Sequence, residues 1–155
     1  MPASMSRFAP PSRPARVVVA DAHQLMRSTL RLLIETGEDL QVVGEAGSLP
    51  EAVQQARRLR AGVLVVDLSL LAGSGPAALA HLRDALPRTR IVAVTMEDSP
   101  GLARHALAGG ASAFVVKDRA DSELVDAVRS VARGERYVGP AIAAREGAGL
   151  APGAR

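Results

Sequence analysis

The stretch VLVVDLSL, residues 63–70, sets four apolar residues directly before an aspartate. A short apolar run that is rich in valine and ends at a polar residue is typical of a strand buried on both faces of a parallel sheet. Other runs of the chain have the same character. We predict strands β1–β5, in order, at 16–20, 40–45, 62–66, 90–95 and 112–116.

Segments with helical spacing separate and follow these strands. We predict helices α1–α5, in order, at 24–36, 50–60, 75–86, 100–109 and 120–133. In the last of them Leu124, Val128 and Val131 recur at helical steps, and Gly134 suits the helix end. Alternating strands and helices imply parallel strands with helices on both faces. Five such units predict an α/β fold of the flavodoxin-like (βα)5 type, a doubly wound parallel sheet.

The length of 155 residues suits a single domain. Residues 1–15 contain four prolines and no periodicity, and we interpret them as a flexible leader. The regular pattern predicts a domain over 16–136. Residues 137–155 are rich in Gly, Ala and Pro and are predicted to form a short C-terminal tail, too short for an effector domain.

Composition excludes several classes of function. The chain has no cysteine, which excludes a disulfide framework and cysteine-based zinc sites. The net charge is +3 and only 2% of residues are aromatic, which argues against a base-stacking nucleic-acid surface. No signal peptide or membrane-spanning run is evident. We therefore predict a soluble, cytoplasmic protein without membrane contact.

Polar side chains follow four of the five predicted strands. Asp21 follows β1, Asp67 follows β3, Thr95 ends β4 and Lys117 follows β5. Ligands of open α/β sheets bind at the carboxyl ends of the strands, so these side chains are expected to converge at one edge.

This set of residue types suits phosphoryl transfer to a carboxylate. Asp67 can attack a phosphoryl group and form an acyl phosphate. Because an anion then approaches an anion, Mg²⁺ must supply positive charge, and Asp21 can help to hold it. The Lys117 ammonium would pair with one phosphate oxygen, and the Thr95 hydroxyl would donate a hydrogen bond to another. Taken singly, each residue has a simpler explanation, such as a turn cap, strand propensity or a solvated loop.

The motifs that carry these residues resemble receiver domains of two-component response regulators, most closely those of the NarL/FixJ group. The matching stretches are VVVADAHQLMR (17–27), VVGEAGS (42–48), VLVVDLSL (63–70), IVAVTM (91–96), LAGGASAFVVKD (107–118) and ELVDAVRSVARGERYVGP (123–140). The resemblance implies strand order 2-1-3-4-5.

The resemblance also implies a role for each matching residue. Asp67 is the phosphoacceptor, and Thr95 and Lys117 contact the phosphate. Thr95 and Phe114 form the conformational switch. Mg²⁺ is held by Asp21, Asp67 and the backbone carbonyl of Ser69. The implied partners are a histidine kinase or phosphotransfer protein and a downstream protein bound to the α4–β5–α5 face, with no direct DNA binding.

One departure from the family pattern bears on the metal. Ala22 stands where the family has a second acidic residue, and a methyl group cannot coordinate a cation. We therefore expect weak Mg²⁺ binding. His23, the next residue, is rejected as a phosphohistidine because nothing nearby in the sequence would activate it. Glu97 and Asp98 are interpreted as solvated loop residues rather than metal ligands.

Three functions remain open at this point. The first is a stand-alone phosphoacceptor switch that signals through a protein partner in a phosphorelay. The second is a phosphorylation-independent receiver that serves as a protein-interaction module because of Ala22. The third is an aspartyl phosphatase. Such an enzyme needs a second acid two residues after its nucleophile, where this chain has Ser69, so we predict that the protein is not an enzyme.

Overall fold

A six-stranded parallel sheet forms the centre of the molecule. The computed structural model describes residues 13–75 and 77–146, and the side chain of residue 146 is not among the described parts. The strands are β1 Ala15–Ala20, β2 Leu40–Ala46, β3 Val63–Asp67, β4 Arg90–Thr95, β5 Ala113–Val116 and β6 Tyr137–Val138. Their order is β2-β1-β3-β4-β5-β6, and every neighbouring pair is parallel. This confirms the predicted fold class and the order 2-1-3-4-5, and adds one strand at the edge.

Helices connect the strands. They are α1 Gln24–Ile34, α2 Leu49–Arg58, α3 Ala78–Ala85, α4 Pro100–Ala108, α5 Ala120–Ala132 and α6 Pro140–Glu146. Single 3₁₀ turns, Leu68–Leu71 and Lys117–Arg119, follow β3 and β5. The starts of α2 and α4 are encoded locally, because the Ser48 and Ser99 side chains accept hydrogen bonds from backbone N–H groups of the first turn.

Each face of the sheet buries its own apolar cluster. In β1, Val18 and Ala20 belong to the cluster covered by α2, α3 and α4, whereas Val17 and Val19 belong to the one covered by α1 and α5. The central strand β3 is buried at all five positions. A strand covered on both faces needs apolar residues throughout, which is why its sequence reads as a continuous valine-rich run.

Residues 137–146 differ from the predicted tail. Tyr137 and Val138 pair with Ala113 and Phe114 of β5, and α6 buries Ile142. A two-residue strand is too short to show a period of two, and the alanine-rich composition hides the amphipathic helix. The rest of that tail, 147–155, and residues 1–12 of the predicted leader lie outside the described residues. Within the described ranges, no helix is long and apolar enough to cross a membrane.

Candidate functional site

The carboxyl ends of the strands bring the four predicted polar residues to one edge of the sheet. Asp67 and Thr95 are the last residues of β3 and β4, and Asp21 and Lys117 directly follow β1 and β5. Asp67, Thr95 and Lys117 line a pocket of about 600 Å³ together with Ser69 and residues of α1 and the β4–α4 loop. Asp21 is fully buried behind this lining.

The Lys117 ammonium bridges two carboxylates. Its Nζ lies 2.6 Å from Oδ2 of Asp21 and 3.1 Å from Oδ2 of Asp67. The lysine side chain is only 5% exposed, and both carboxylates are buried. Two anions and one cation are thus held together with little of their surface exposed. Because unpaired charges are strongly disfavoured in such surroundings, the three groups depend on one another.

Asp67 also accepts hydrogen bonds from the turn that follows it. The Ser69 backbone N–H donates to Oδ1 at 3.1 Å, and the Ser69 hydroxyl donates to Oδ2 at 2.7 Å. Burial alone raises the pKa of Asp67, but the hydrogen bonds from Ser69 and the charge of Lys117 outweigh it and hold the pKa below its usual range. Asp67 is therefore a carboxylate at neutral pH. The sequence predicts only a backbone role for Ser69, because the 3₁₀ turn that aims its hydroxyl has no clear sequence signal.

Asp21 is fixed by the start of α1. Its Oδ1 accepts a hydrogen bond from the His23 backbone N–H at 2.8 Å, and its backbone carbonyl accepts one from Arg27 at 2.8 Å. The imidazole Nδ1 of His23 lies 3.4 Å from the same Oδ1. The sequence raises His23 only as a possible phosphohistidine, and no sequence pattern indicates that its imidazole lies beside Asp21.

A divalent cation fits beside these groups. One ligand atom each from Asp21, His23 and Asp67 lie within 4.8 Å of one another. Carboxylate oxygens and an imidazole nitrogen are common metal ligands, so the donor set is chemically suitable. The backbone carbonyl of Ser69, the third predicted ligand, accepts a hydrogen bond from the Ala72 N–H at 3.2 Å. Ala22 offers no donor atom on its side chain.

The two predicted switch residues occupy neighbouring strands. Thr95 is buried, and its hydroxyl accepts a hydrogen bond from the Glu97 N–H at 3.2 Å. Phe114 is fully buried in the apolar cluster that also contains residues of α4 and α6. In the parallel register, Ala93 pairs with Phe114 and Thr95 with Val116. The aromatic ring therefore points into the core, one strand away from the hydroxyl.

The response regulator receiver domain profile matches residues 17–129. The chain belongs to the response regulator receiver family. This receiver domain is 33% identical over 126 residues to the oxygen regulatory protein NreC of Staphylococcus carnosus, with 81% of this chain and 58% of that protein covered. NreC of Staphylococcus epidermidis is 36% identical over 124 residues, with 79% and 57% covered. The chain thus spans a little more than half the length of these relatives.

Solved structures agree with the assignment. The signal receiver domain of the response regulator NarL from Mycobacterium tuberculosis superposes with a TM-score of 0.70 at 30% identity, covering 79% of this chain and 98% of that one. A two-component response regulator of the LuxR family from Aurantimonas gives a TM-score of 0.77 at 34% identity, covering 86% and 97%. This chain is thus a receiver domain of a two-component response regulator with NarL- and NreC-like relatives.

Proposed function

We propose that this receiver domain accepts a phosphoryl group on Asp67 from a histidine kinase or phosphotransfer protein and signals through a protein partner. The observation that carries the proposal is the Lys117 ammonium, held 3.1 Å from the carboxylate of a pocket-lining aspartate. The Asp67 carboxylate is unprotonated at neutral pH, as a nucleophile must be. The Lys117 ammonium is positioned to stabilise the negative charge of the incoming phosphoryl group.

The proposed transfer uses one oxygen of Asp67. That oxygen forms a P–O bond while the P–N bond of a phosphohistidine breaks, and the electron pair of that bond returns to the imidazole of the donor. Lys117 moves part of its hydrogen bonding from the carboxylates to a phosphate oxygen, and the Thr95 hydroxyl donates a hydrogen bond to another phosphate oxygen. A bound Mg²⁺ would neutralise charge on the phosphate oxygens during the transfer. Ser69 must release Oδ2 if that oxygen attacks, since its hydroxyl donates to it at 2.7 Å.

Mg²⁺ is the proposed cofactor, bound weakly. Asp21, Asp67 and the Ser69 carbonyl would hold it, as predicted from the sequence. Mg²⁺ is typically bound through one or two carboxylates and retains several waters. The absence of a second acid at position 22 therefore removes a large part of the ligand set that the protein can supply. Restoring that acid with Ala22→Asp is therefore expected to raise Mg²⁺ affinity.

A second candidate function follows from the same position. If the site cannot recruit a metal, the Lys117 bridge keeps the two carboxylates neutralised without phosphate, and the domain would serve as a phosphorylation-independent interaction module. We do not propose phosphatase activity, because the residue two positions after Asp67 is Ser69, whose hydroxyl is a poor general acid.

The output is proposed to pass through the α4–β5–α5 face to a protein rather than directly to DNA, in the cytoplasm. Part of this face is already in contact with α6, which packs against α4, and Arg145 of α6 pairs at 2.6 Å with Asp98 in the loop before α4. Asp98 also pairs with Arg119 at 2.8 Å. The hydrogen bond from Arg119 and the charge of Arg145 hold the pKa of the Asp98 carboxyl below its usual range.

Our expectation that the receiver works without an attached output domain stays a prediction.

The deciding experiment is intact-mass measurement after incubation with acetyl phosphate and Mg²⁺. We expect one phosphate adduct that is absent in Asp67→Ala and retained in the control Asp84→Ala, which removes an exposed acid at the other end of the sheet. Absence of an adduct at every Mg²⁺ concentration would instead support the interaction module. An adduct that persists in Asp67→Ala would show that the phosphoacceptor lies elsewhere.

A further inference from the structure

The phosphoacceptor pocket carries a nitrogen donor in addition to its carboxylates. The His23 side chain is 78% exposed, yet its Nδ1 lies 3.4 Å from Oδ1 of Asp21. Together with Asp67 it completes a group of three potential ligands, all within 4.8 Å of one another. This nitrogen donor comes immediately after Ala22, whose side chain supplies no ligand.

The spacing of these atoms suits one metal ion. Ligand bonds of about 2.1 Å place opposite ligands about 4.2 Å apart and neighbouring ones closer. A separation of at most 4.8 Å therefore needs an adjustment of about half an ångström. The exposed imidazole has room to make that adjustment. The two buried carboxylates are restrained by Lys117 and by the backbone, so they form a fixed base for the site.

Lys117 leaves one oxygen of each carboxylate open to a metal ion. The ammonium contacts Oδ2 of Asp21 and Oδ2 of Asp67, which leaves the two Oδ1 atoms. Each Oδ1 accepts one backbone N–H, from His23 and from Ser69. A carboxylate oxygen retains a second lone pair when it accepts one hydrogen bond, so both Oδ1 atoms can still coordinate a cation.

We propose that this pocket is a mixed nitrogen–oxygen site that prefers Zn²⁺, a borderline first-row cation, to Mg²⁺, and that His23 sets the preference. Imidazole binds such cations well, whereas Mg²⁺ prefers oxygen ligands. With a carboxylate missing at position 22 and an imidazole present at position 23, the donor set shifts away from Mg²⁺. The proposal concerns the metal of the phosphoacceptor site and deepens the proposed function, but it does not require phosphoryl transfer to occur.

The test measures metal binding directly, with no phosphodonor present. Calorimetric titrations with Mg²⁺ and Zn²⁺, and Mn²⁺ titrations followed by electron paramagnetic resonance, are run at about pH 7.5. We expect one Zn²⁺ per chain, with an affinity about a hundredfold above that of Mg²⁺ and with Mn²⁺ between them. Zn²⁺ should also shift the imidazole nuclear magnetic resonance signals of His23.

Variants assign the preference to one side chain. His23→Ala is expected to lower Zn²⁺ affinity about tenfold or more and to leave Mg²⁺ affinity within about twofold. The matched control is His81→Ala, which removes another exposed imidazole, on α3, that belongs to no metal-binding group within the described ranges. His81→Ala should leave Zn²⁺ binding unchanged. Ala22→Asp should raise Mg²⁺ affinity and reduce the ratio of Zn²⁺ to Mg²⁺ affinity.

Several results would overturn this proposal. Mg²⁺ binding as tight as Zn²⁺ binding would do so, as would equal losses of both metals in His23→Ala. Equal Zn²⁺ losses in His23→Ala and His81→Ala would place the ion elsewhere. None of these results affects the outcome of the mass-spectrometric test of Asp67 phosphorylation. The two proposals therefore fail separately.

Discussion

Replacing Lys117 by methionine tests whether its ammonium holds the pocket together. The substitution keeps the length of the side chain and removes its charge. At an effective dielectric constant of about 20, contacts of 2.6 and 3.1 Å correspond to attractions of about 6 and about 5 kcal/mol, most of which is offset by desolvation of the three charges. The variant leaves two buried carboxylates within 4.8 Å of each other without a cation. We expect the free energy of unfolding to fall by about 3–5 kcal/mol at neutral pH.

The pH dependence gives a sharper criterion than the size of the loss. In the native protein the pKa of Asp67 is depressed, so its contribution to stability is present above the unfolded pKa of about 4 and disappears as pH falls through the folded value. Without Lys117, burial and the neighbouring Asp21 are expected to raise the pKa of Asp67 above that of the unfolded chain. Its contribution then becomes a penalty that is largest at neutral pH and shrinks as the carboxyl protonates. The difference between the two proteins should therefore narrow steadily on acidification.

Urea unfolding followed by circular dichroism from about pH 7 to about pH 4, in buffer with a chelator, measures both the loss in free energy of unfolding and its pH dependence. Adding Asp67→Asn to the Lys117→Met variant should recover about 2–3 kcal/mol, because one of the two facing charges is then gone. Arg88→Met, which removes an exposed cation, is the control and should change stability by less than about 0.5 kcal/mol. A loss below about 1 kcal/mol in Lys117→Met, or a difference that widens in acid, would refute the bridging role.

Further predictions concern the core, the buried carboxyl group of Glu123 and the ion pair between Arg129 and Asp39. Phe114→Ala should lower the free energy of unfolding by about 3–5 kcal/mol in urea, and a loss under about 1 kcal/mol would contradict full burial of the ring. Burial raises the pKa of Glu123, so Glu123→Gln should raise the melting temperature at neutral pH and lose that advantage as pH falls through the raised pKa; a constant advantage would argue against it. Arg129→Ala breaks a half-exposed pair with Asp39 and should cost about 0.2–1 kcal/mol, less in high salt, whereas a salt-independent loss would indicate packing instead.

The fold could be predicted from the sequence because the central strands are buried on both faces. That burial requires runs such as residues 63–66, whose apolar character does not depend on distant contacts. The convergence of Asp21, Asp67, Thr95 and Lys117 could also be predicted, since parallel strands place all their carboxyl ends at one edge. The sequence therefore predicts those features of the site that depend only on the position of a residue along its strand.

The details that escaped prediction depend on turn geometry. The Ser69 hydroxyl meets Asp67 because a 3₁₀ turn follows β3, and His23 lies beside Asp21 as the extended N-cap residue of α1. Neither geometry leaves a periodic pattern. The residues 137–146 escaped for a different reason: β6 has two residues, and α6 is stabilised by tertiary contacts of Ile142 and Ala143 more than by any local signal.

Those C-terminal residues change what a partner of the α4–β5–α5 face would meet. Ile142 of α6 is buried in the same apolar cluster as Phe114, and Arg145 pairs with Asp98 in the loop that follows Thr95. The loop is therefore connected to the phosphoacceptor pocket at one end and to α6 at the other. A protein that binds this face must either include α6 in its contact or displace it, and displacement would expose Ile142 and break the Arg145 pair. A partner that displaces α6 competes with the contacts of Ile142 and Arg145. A movement of the loop that weakens these contacts therefore favours the binding of such a partner.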